Sequence, residues 1–456
     1  MADLPLDRIQ GFIMRTYAMP ALRVFVLAVE HARAAGNAVA TLVAGSSTVP
    51  RITTAATWTV KPDVCVNIGL THDGLTALGM SAESLASFPQ EFVEGAVARA
   101  ARVGDVGESA PEHWKGGLAG PLVHAVVFLF AQSEDALNHA SSGLRELFAA
   151  DHAFTVLSEH DARGLPGNVA HFGYRDGFSQ PAIQGGLPTP LPDVLPQAPA
   201  GAFLLGYPSQ WDSFTYPVPQ PDVLGRNGSF VAFRILAQDC AAFERFLDQA
   251  SVATGLDREL VAAKLCGRWR NGVPLALSPD APDMSLPVER YNAFDYAASP
   301  SAPDAVPDPR GDRCPIGSHV RRMNPRNSVV AGNGGLKRRI VRRGLPYGPP
   351  YDPAHPDDGI ERGLLGLFIG VSLKDQFEFL MGDWANKGLF APGLHGTKDP
   401  ILGDNSTEDA TFPMRINGKA VELAGLSRFV TCRGAAYAFL PSVDALEYLA
   451  GIAGTR

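Results

Sequence analysis

The sequence predicts an α+β protein of two halves, each an antiparallel sheet backed by helices. Three observations carry this. First, a short apolar run, a polar break and an amphipathic stretch recur in that order along the 456 residues. Second, two such units lie before residue 170 and three after residue 200, with a stretch carrying five prolines at 184–200 between them. Third, a doubly wound parallel sheet would need a glycine-rich phosphate turn after its first strand, and none follows it. The spacing also permits ferredoxin-like units.

The elements follow in order. Arg23-Val-Phe-Val-Leu-Ala-Val29 reads as a strand and precedes the Ala-rich 30–43. His124-Ala-Val-Val-Phe-Leu-Phe130 leads through Ser133 into a helical stretch at 134–149. Phe230-Val-Ala-Phe-Arg-Ile-Leu236 leads through Asp239 into 240–253, and the apolar 364–371 through Ser372 into 373–386. Ala436-Tyr-Ala-Phe-Leu440 leads through Ser442 into 443–453. The runs are partly β-branched and aromatic, as packed strands require. Ser or Asp stands where a helix N-terminus needs a side-chain oxygen. Residues 276–313 are rich in Pro, Asp and Ala and show no period, so they read as a long functional loop.

A hydrophobic share of 46% and a charged share of 19% support a large buried core. The net charge of −8 gives no basic footprint for nucleic acid. Local arginine clusters at 321–326 and 337–343 suit a small anion such as a carboxylate. Five widely spaced cysteines, without a Cys-x-x-Cys pair, argue against a zinc site or a disulfide framework and favour a reducing compartment. The N-terminus lacks the apolar core of a secretory signal, and the longest apolar run, 122–131, is too short to span a bilayer. The expectation is a cytoplasmic protein without membrane partners.

The chemistry concentrates in Cys314-Pro-Ile-Gly-Ser-His319-Val-Arg-Arg-Met-Asn-Pro-Arg326. Of eleven histidines, His319 is the one set among arginines after a long loop. Neutral imidazole is a common axial donor to haem iron, and haem propionates need cations such as Arg326 and its neighbours. Against this, Arg321, Arg322 and Arg326 could form a solvated basic face. Cys314 is a rival thiolate ligand, though a buried thiol at a turn is the preferred reading. Asp176 lies between Gly173 and Gly177, with Phe172, Tyr174 and Phe178 around it. In an aromatic setting its carboxylate could shuttle a proton; the plain alternative is a self-satisfied Asp-Gly turn. Arg342 could stabilise a developing anion, although Arg338, Arg339 and Arg343 leave that choice open. Asp399, in Lys398-Asp399-Pro400, could accept the second ring proton of a ligand histidine or simply start a turn.

Together these motifs resemble the dye-decolourising peroxidase family. Gly173-Tyr-Arg-Asp176-Gly177, continuing Phe-Ser-Gln-Pro181, matches its Gly-x-x-Asp-Gly motif. Cys314-Pro-x-x-x-His319-x-Arg-x-x-Asn-Pro-Arg326 and Arg342-x-Gly-x-Pro-Tyr-Gly348 match two others. Leu4-Pro-Leu-Asp-Arg-Ile-Gln-Gly11 looks like the family's opening. Cys432 to Ser442 looks like its close, with Ala435, Ala436 and Ala438 smaller than expected there.

The resemblance implies haem b (iron protoporphyrin IX) and two ferredoxin-like halves. Residues 1–183 would carry the Gly-x-x-Asp-Gly motif, and 201–456 would bind the haem. His319 would be the proximal metal ligand, Asp176 and Arg342 the distal catalytic pair, and Arg326 a propionate partner. Asp399 would support His319, with Asp383 and Asp404 as nearby competitors. The implied activity is reduction of hydrogen peroxide coupled to one-electron oxidation of dyes or phenols. The alternative is a haem-handling protein with little peroxidase turnover. Where a bulky dye cannot reach the haem, Trp58, Trp114, Trp211, Trp269 and Trp384 are candidate surface radical sites. The family admits a homo-oligomer.

Overall fold

The computed structural model describes residues 4–188, 191, 193–299, 302, 306–326, 335–389, 391–407 and 409–454. The expected linker at 184–200 and loop at 276–313 fall partly outside the described residues.

The first half runs β1 (Ala21–Val29), α1 (Ala32–Ala44), β2 (Val64–Leu70), β3 (Ala125–Ala131), α2 (Glu134–Ala149) and β4 (Phe154–Arg163). Ser133 starts α2 as the sequence suggests, its side chain accepting a bond from the Ala136 amide. The second half runs β5 (Ser229–Gln238), α3 (Cys240–Thr254), α4 (Arg258–Cys266), α5 (His319–Met323), β6 (Val341–Tyr347) and β7 (Gly363–Gly370). It continues through π-helical turns at Leu373–Glu378 and Leu380–Ala385 to the hairpin β8 (Thr411–Ile416) and β9 (Lys419–Ala424). It ends on β10 (Val430–Leu440) and α6 (Val443–Gly454).

Eight strands form one sheet in the order β4-β1-β3-β2-β10-β5-β7-β6, and every pairing is antiparallel. Each half repeats one arrangement: its last strand lies beside its first, then its third, then its second. That is the ferredoxin-like order. The halves join where Phe439 on β10 pairs with Leu70 on β2. The outer strands β4 and β6 lie against each other, so the sheet curls toward a barrel.

The small residues in the closing segment have a packing reason. A Cβ on Gly69 would come within 2.8 Å of the Ala438 Cβ, so the seam between the halves has room only for small side chains. Across the same junction a Cβ on Gly36 of α1 would come within 2.5 Å of the Ala453 Cβ on α6. The core on the two faces of the sheet is aromatic: Phe12, Phe25, Phe128, Phe230 and Phe233 are all fully buried. A second apolar cluster, with Phe243, Phe246 and Phe412, packs α3 and α4 against the β8–β9 hairpin.

Candidate active site

A cavity of about 830 Å³ lies against the outward face of the second half's strands. Its walls come from both halves. Asp105 belongs to the first, the loop carrying Asp176 follows β4, and His319, Arg326 and Arg342 belong to the second.

His319 opens α5, a helix of only five residues. Local sequence sets both ends. Gly267 closes α4 at φ +95°, and a Cβ there would sit 3.0 Å from Ser318 Oγ, so glycine lets α4 end against the turn that starts α5. Asn324 precedes Pro325 and leaves the helical region, at φ −146° and ψ 80°. The His319 side chain is 23% exposed and its Nδ1 lies 3.0 Å from Asp399 Oδ2, while Asp399 is fully buried. Asp399 Oδ1 accepts from the amides of Ile401 at 2.9 Å and Leu402 at 3.0 Å. One oxygen thus starts the turn and the other faces the histidine Nδ1. Burial pushes this carboxyl up, but His319, Arg322 and the backbone amide outweigh it and hold it below its ordinary value. An ionised Asp399 makes Nδ1 the proton-bearing nitrogen and leaves Nε2 as the donor. The competitors are committed elsewhere: Asp383 to Arg102 and Lys387, Asp404 to Lys398 and Arg428.

The arginine cluster divides. Arg321 and Arg322 are fully buried, which overturns the solvated-face reading and removes both as partners for an anion in the cavity. Arg321 binds Asp308 and the Cys314 carbonyl; Arg322 binds the carbonyls of Gly317, Trp384 and Thr397. Desolvation lowers Arg322 to about 10. Arg326 differs. Its Nη1 reaches Asp193 Oδ1 at 3.0 Å and the Phe294 carbonyl at 2.9 Å, and its guanidinium lies 3.9 Å over the Phe294 ring. Its Nη2 is buried with no hydrogen-bond partner among the described residues. Its backbone sits at φ +55°, a conformation held by these contacts. Cys314 is a buried thiol, pushed up by desolvation, 3.3 Å from Ser318 Oγ, and it is not among the residues lining the cavity.

Asp176 is exposed at the cavity wall, and its Oδ1 accepts from the Gly177 amide at 2.6 Å. The expected aromatic enclosure does not form. Gly173 and Gly177, at φ +84° and +87°, turn the chain so that its neighbours pack elsewhere. Phe172 lies 4.6 Å from Phe243, the Tyr174 hydroxyl donates to the Ala262 carbonyl, and Phe178 lies 5.1 Å from Tyr291. Arg342, half-buried on β6, donates from Nη2 to the Ser179 carbonyl at 2.6 Å, and its backbone amide donates to Gln180 Oε1. The strand therefore tethers the segment that follows Asp176. Arg343 instead binds the carbonyls of Phe12 and Arg15.

Sequence reasoning missed Asp193, Arg268 and the pair Asp105–Arg234. Asp193 sits in a proline-rich stretch and Arg268 just after a helix, where nothing local marks them. Burial and the neighbouring Arg326 lower Arg268 to about 10. Among the described residues no three His, Cys, Asp or Glu side chains are grouped to hold a metal, and no helix is long and apolar enough to cross a membrane. The residues present fit a haem: a histidine with its second nitrogen anchored, and a buried guanidinium nitrogen without a partner among the described residues, suited to a propionate.

A family model described as the DyP dimeric alpha+beta barrel domain matches residues 36–163. Peroxidase 2 of Mycetinis scorodonius is 29% identical over 430 residues, covering 88% of this chain and 80% of that protein. A dye-decolorizing peroxidase of Mycena epipterygia is 30% identical over 379 residues, covering 78% and 68%. The structure of a dye-decolorizing peroxidase in complex with 2,6-dimethoxyphenol superposes with a TM-score of 0.80 at 28% identity, covering 98% of this chain and 100% of that one. The chain belongs to the dye-decolourising peroxidase family. It is a haem-dependent peroxidase that uses peroxide to oxidise dyes and phenols.

Proposed function

We propose that His319 holds the iron of a haem b through Nε2, that Asp399 fixes its ring, and that Arg326 Nη2 meets a propionate. The observation that carries this is the His319–Asp399 pair on the cavity wall, with the unpartnered Arg326 nitrogen lining the same space. When bound, the haem supplies the electrons that reduce peroxide and takes single electrons from the organic donor. On this reading the chain's own residues handle the proton. Asp176 accepts it from one peroxide oxygen and returns it to the other, directly or through a bridging water, so that water leaves. Arg342, positively charged throughout, stabilises the oxygen that carries developing charge.

The two units divide, on this reading, as 1–183 and 201–456, with the haem held by the second. Five buried free thiols support a reducing, cytoplasmic setting. A homo-oligomer is compatible with the reading, and sedimentation measures it. The test is the visible spectrum of haem-loaded protein before and after one equivalent of hydrogen peroxide. A Soret band should change rapidly and return when a phenolic donor is added. Haem that bleaches without turnover would overturn the reading. A pyridine haemochrome spectrum identifies the haem type.

A further inference from the structure

The cavity carries a second charged pair that the assignments above do not use. Arg234 on β5 and Asp105 from the first half both line it. They are 2% and 5% exposed. Arg234 Nη2 donates to Asp105 Oδ1 at 2.6 Å. That bond uses one donor and one acceptor. Arg234 Nε and Nη1 and Asp105 Oδ2 are buried without a hydrogen-bond partner among the described residues. A buried pair left this incomplete is costly unless something else meets its free atoms.

The surroundings indicate the shape of what does. Arg234 pairs in register with Gly366 on β7, and Gly366 pairs with Gly344 on β6. Both glycines line this part of the cavity floor, and the Phe368 ring already covers Gly366, where an added Cβ would come within 2.8 Å of it. An aromatic wall stands beside this floor. The Arg234 guanidinium lies 5.7 Å from the Phe377 ring, which stacks on Phe368 at 5.5 Å.

We propose that Arg234 and Asp105 form a hydrogen-bonding subsite for the hydroxyl of a small phenol, with its ring on the Phe377–Phe368 wall. The pair has no net charge, so it favours an uncharged ligand over an ion. A phenol hydroxyl both donates and accepts, which matches a free carboxylate oxygen beside free guanidinium N–H groups. The flat ring suits the aromatic wall of Phe377 and Phe368. This deepens the peroxidase reading and rests on it, because it names a place inside the cavity for one class of electron donor.

The test uses 4-bromophenol, whose bromine is located by anomalous scattering in crystals of the haem-loaded protein soaked without peroxide. The expected result is a bromine peak over Phe377, with the hydroxyl in hydrogen-bond reach of Asp105 Oδ2. In solution, Asp105→Asn should raise the KM for phenol about tenfold and leave the rate of the peroxide-induced spectral change intact. The double variant Arg234→Met with Asp105→Leu removes every free polar atom while keeping the volume filled, and should do the same. No bromine peak at the pair would overturn the proposal, whether or not the variants fold. So would an unchanged KM in a folded variant. A fall in the peroxide rate with unchanged phenol KM would also overturn it and assign the pair to peroxide. If peroxide left the wild-type spectrum unchanged while bromophenol still bound at the pair, the peroxidase reading would fail and the subsite would stand.

Discussion

The two parts of the cavity wall that carry the candidate residues are built differently. On one side His319, Asp399 and Arg322 come from the second half alone, and Asp399 and Arg322 are fully buried. Asp399 is fixed by the ring and by two backbone amides, and Arg322 by three carbonyls. On the other side Asp176 is exposed, sits in a glycine-flanked loop after β4, and its side chain accepts from the adjacent Gly177 amide. Its neighbours on both sides tie it to the second half: the Arg175 amide donates to the Arg270 carbonyl at 2.9 Å, and Arg342 holds Ser179 and Gln180. On the proposed assignment, holding a cofactor and moving a proton make separate demands. A ligand needs an orientation that neighbouring groups fix from several sides. A carboxylate that takes and returns a proton needs access to water and freedom to reach either oxygen.

This contrast can be broken by mutation. The largest effect expected is from His319→Ala, which removes the proposed ligand. Haem-loaded variant passed through a desalting column should lose its Soret band, and a retained, unshifted band would move the ligand elsewhere. Next comes Asp176→Asn, which keeps the turn's shape but cannot carry the proton. Stopped-flow mixing with peroxide should show the first spectral change slowed about 10²- to 10⁴-fold. Asp399→Asn should weaken haem binding by about 10- to 100-fold, read by competitive transfer to apomyoglobin. The smallest effect concerns acid. Asp399 is held below its ordinary value, so its contribution is present above the unfolded pKa and is lost as pH falls through the folded one. Haem release on acid titration should therefore have its midpoint below pH ~3.9, the unperturbed aspartate value. In Asp399→Asn this limb should disappear.

Much of the fold could be read from local pattern. The five strand-to-helix units that the sequence suggests correspond to β1, β3, β5, β7 and β10 with the helical stretches after them. The overlooked strands lacked that signal. β4 is an outer strand whose Ser158-Glu-His-Asp161 face is polar, and its Glu159 and Asp161 pair with Arg23 on β1. β2 hides a buried Asn67, satisfied by Tyr17 and the Thr53 carbonyl, which only the tertiary structure supplies. The site divides in the same way. His319, Arg326 and Asp176 stand out because their motifs are contiguous. Which arginine faces inward could not be read, because Arg321, Arg322 and Arg326 differ in the partners that distant carbonyls and carboxylates offer them. Asp105 and Arg234 lie 129 residues apart, beyond any spacing argument.

The most direct test sets Asp176→Asn beside Asp399→Asn, measuring haem affinity and the rate of the peroxide-induced Soret change in both. The account predicts a crossed result. Asp176→Asn should bind haem like the wild type and react slowly with peroxide. Asp399→Asn should bind haem weakly, and the fraction that holds it should still react. Loss of haem from Asp176→Asn, or an unchanged peroxide rate in it, would contradict the division of labour between the two parts of the wall.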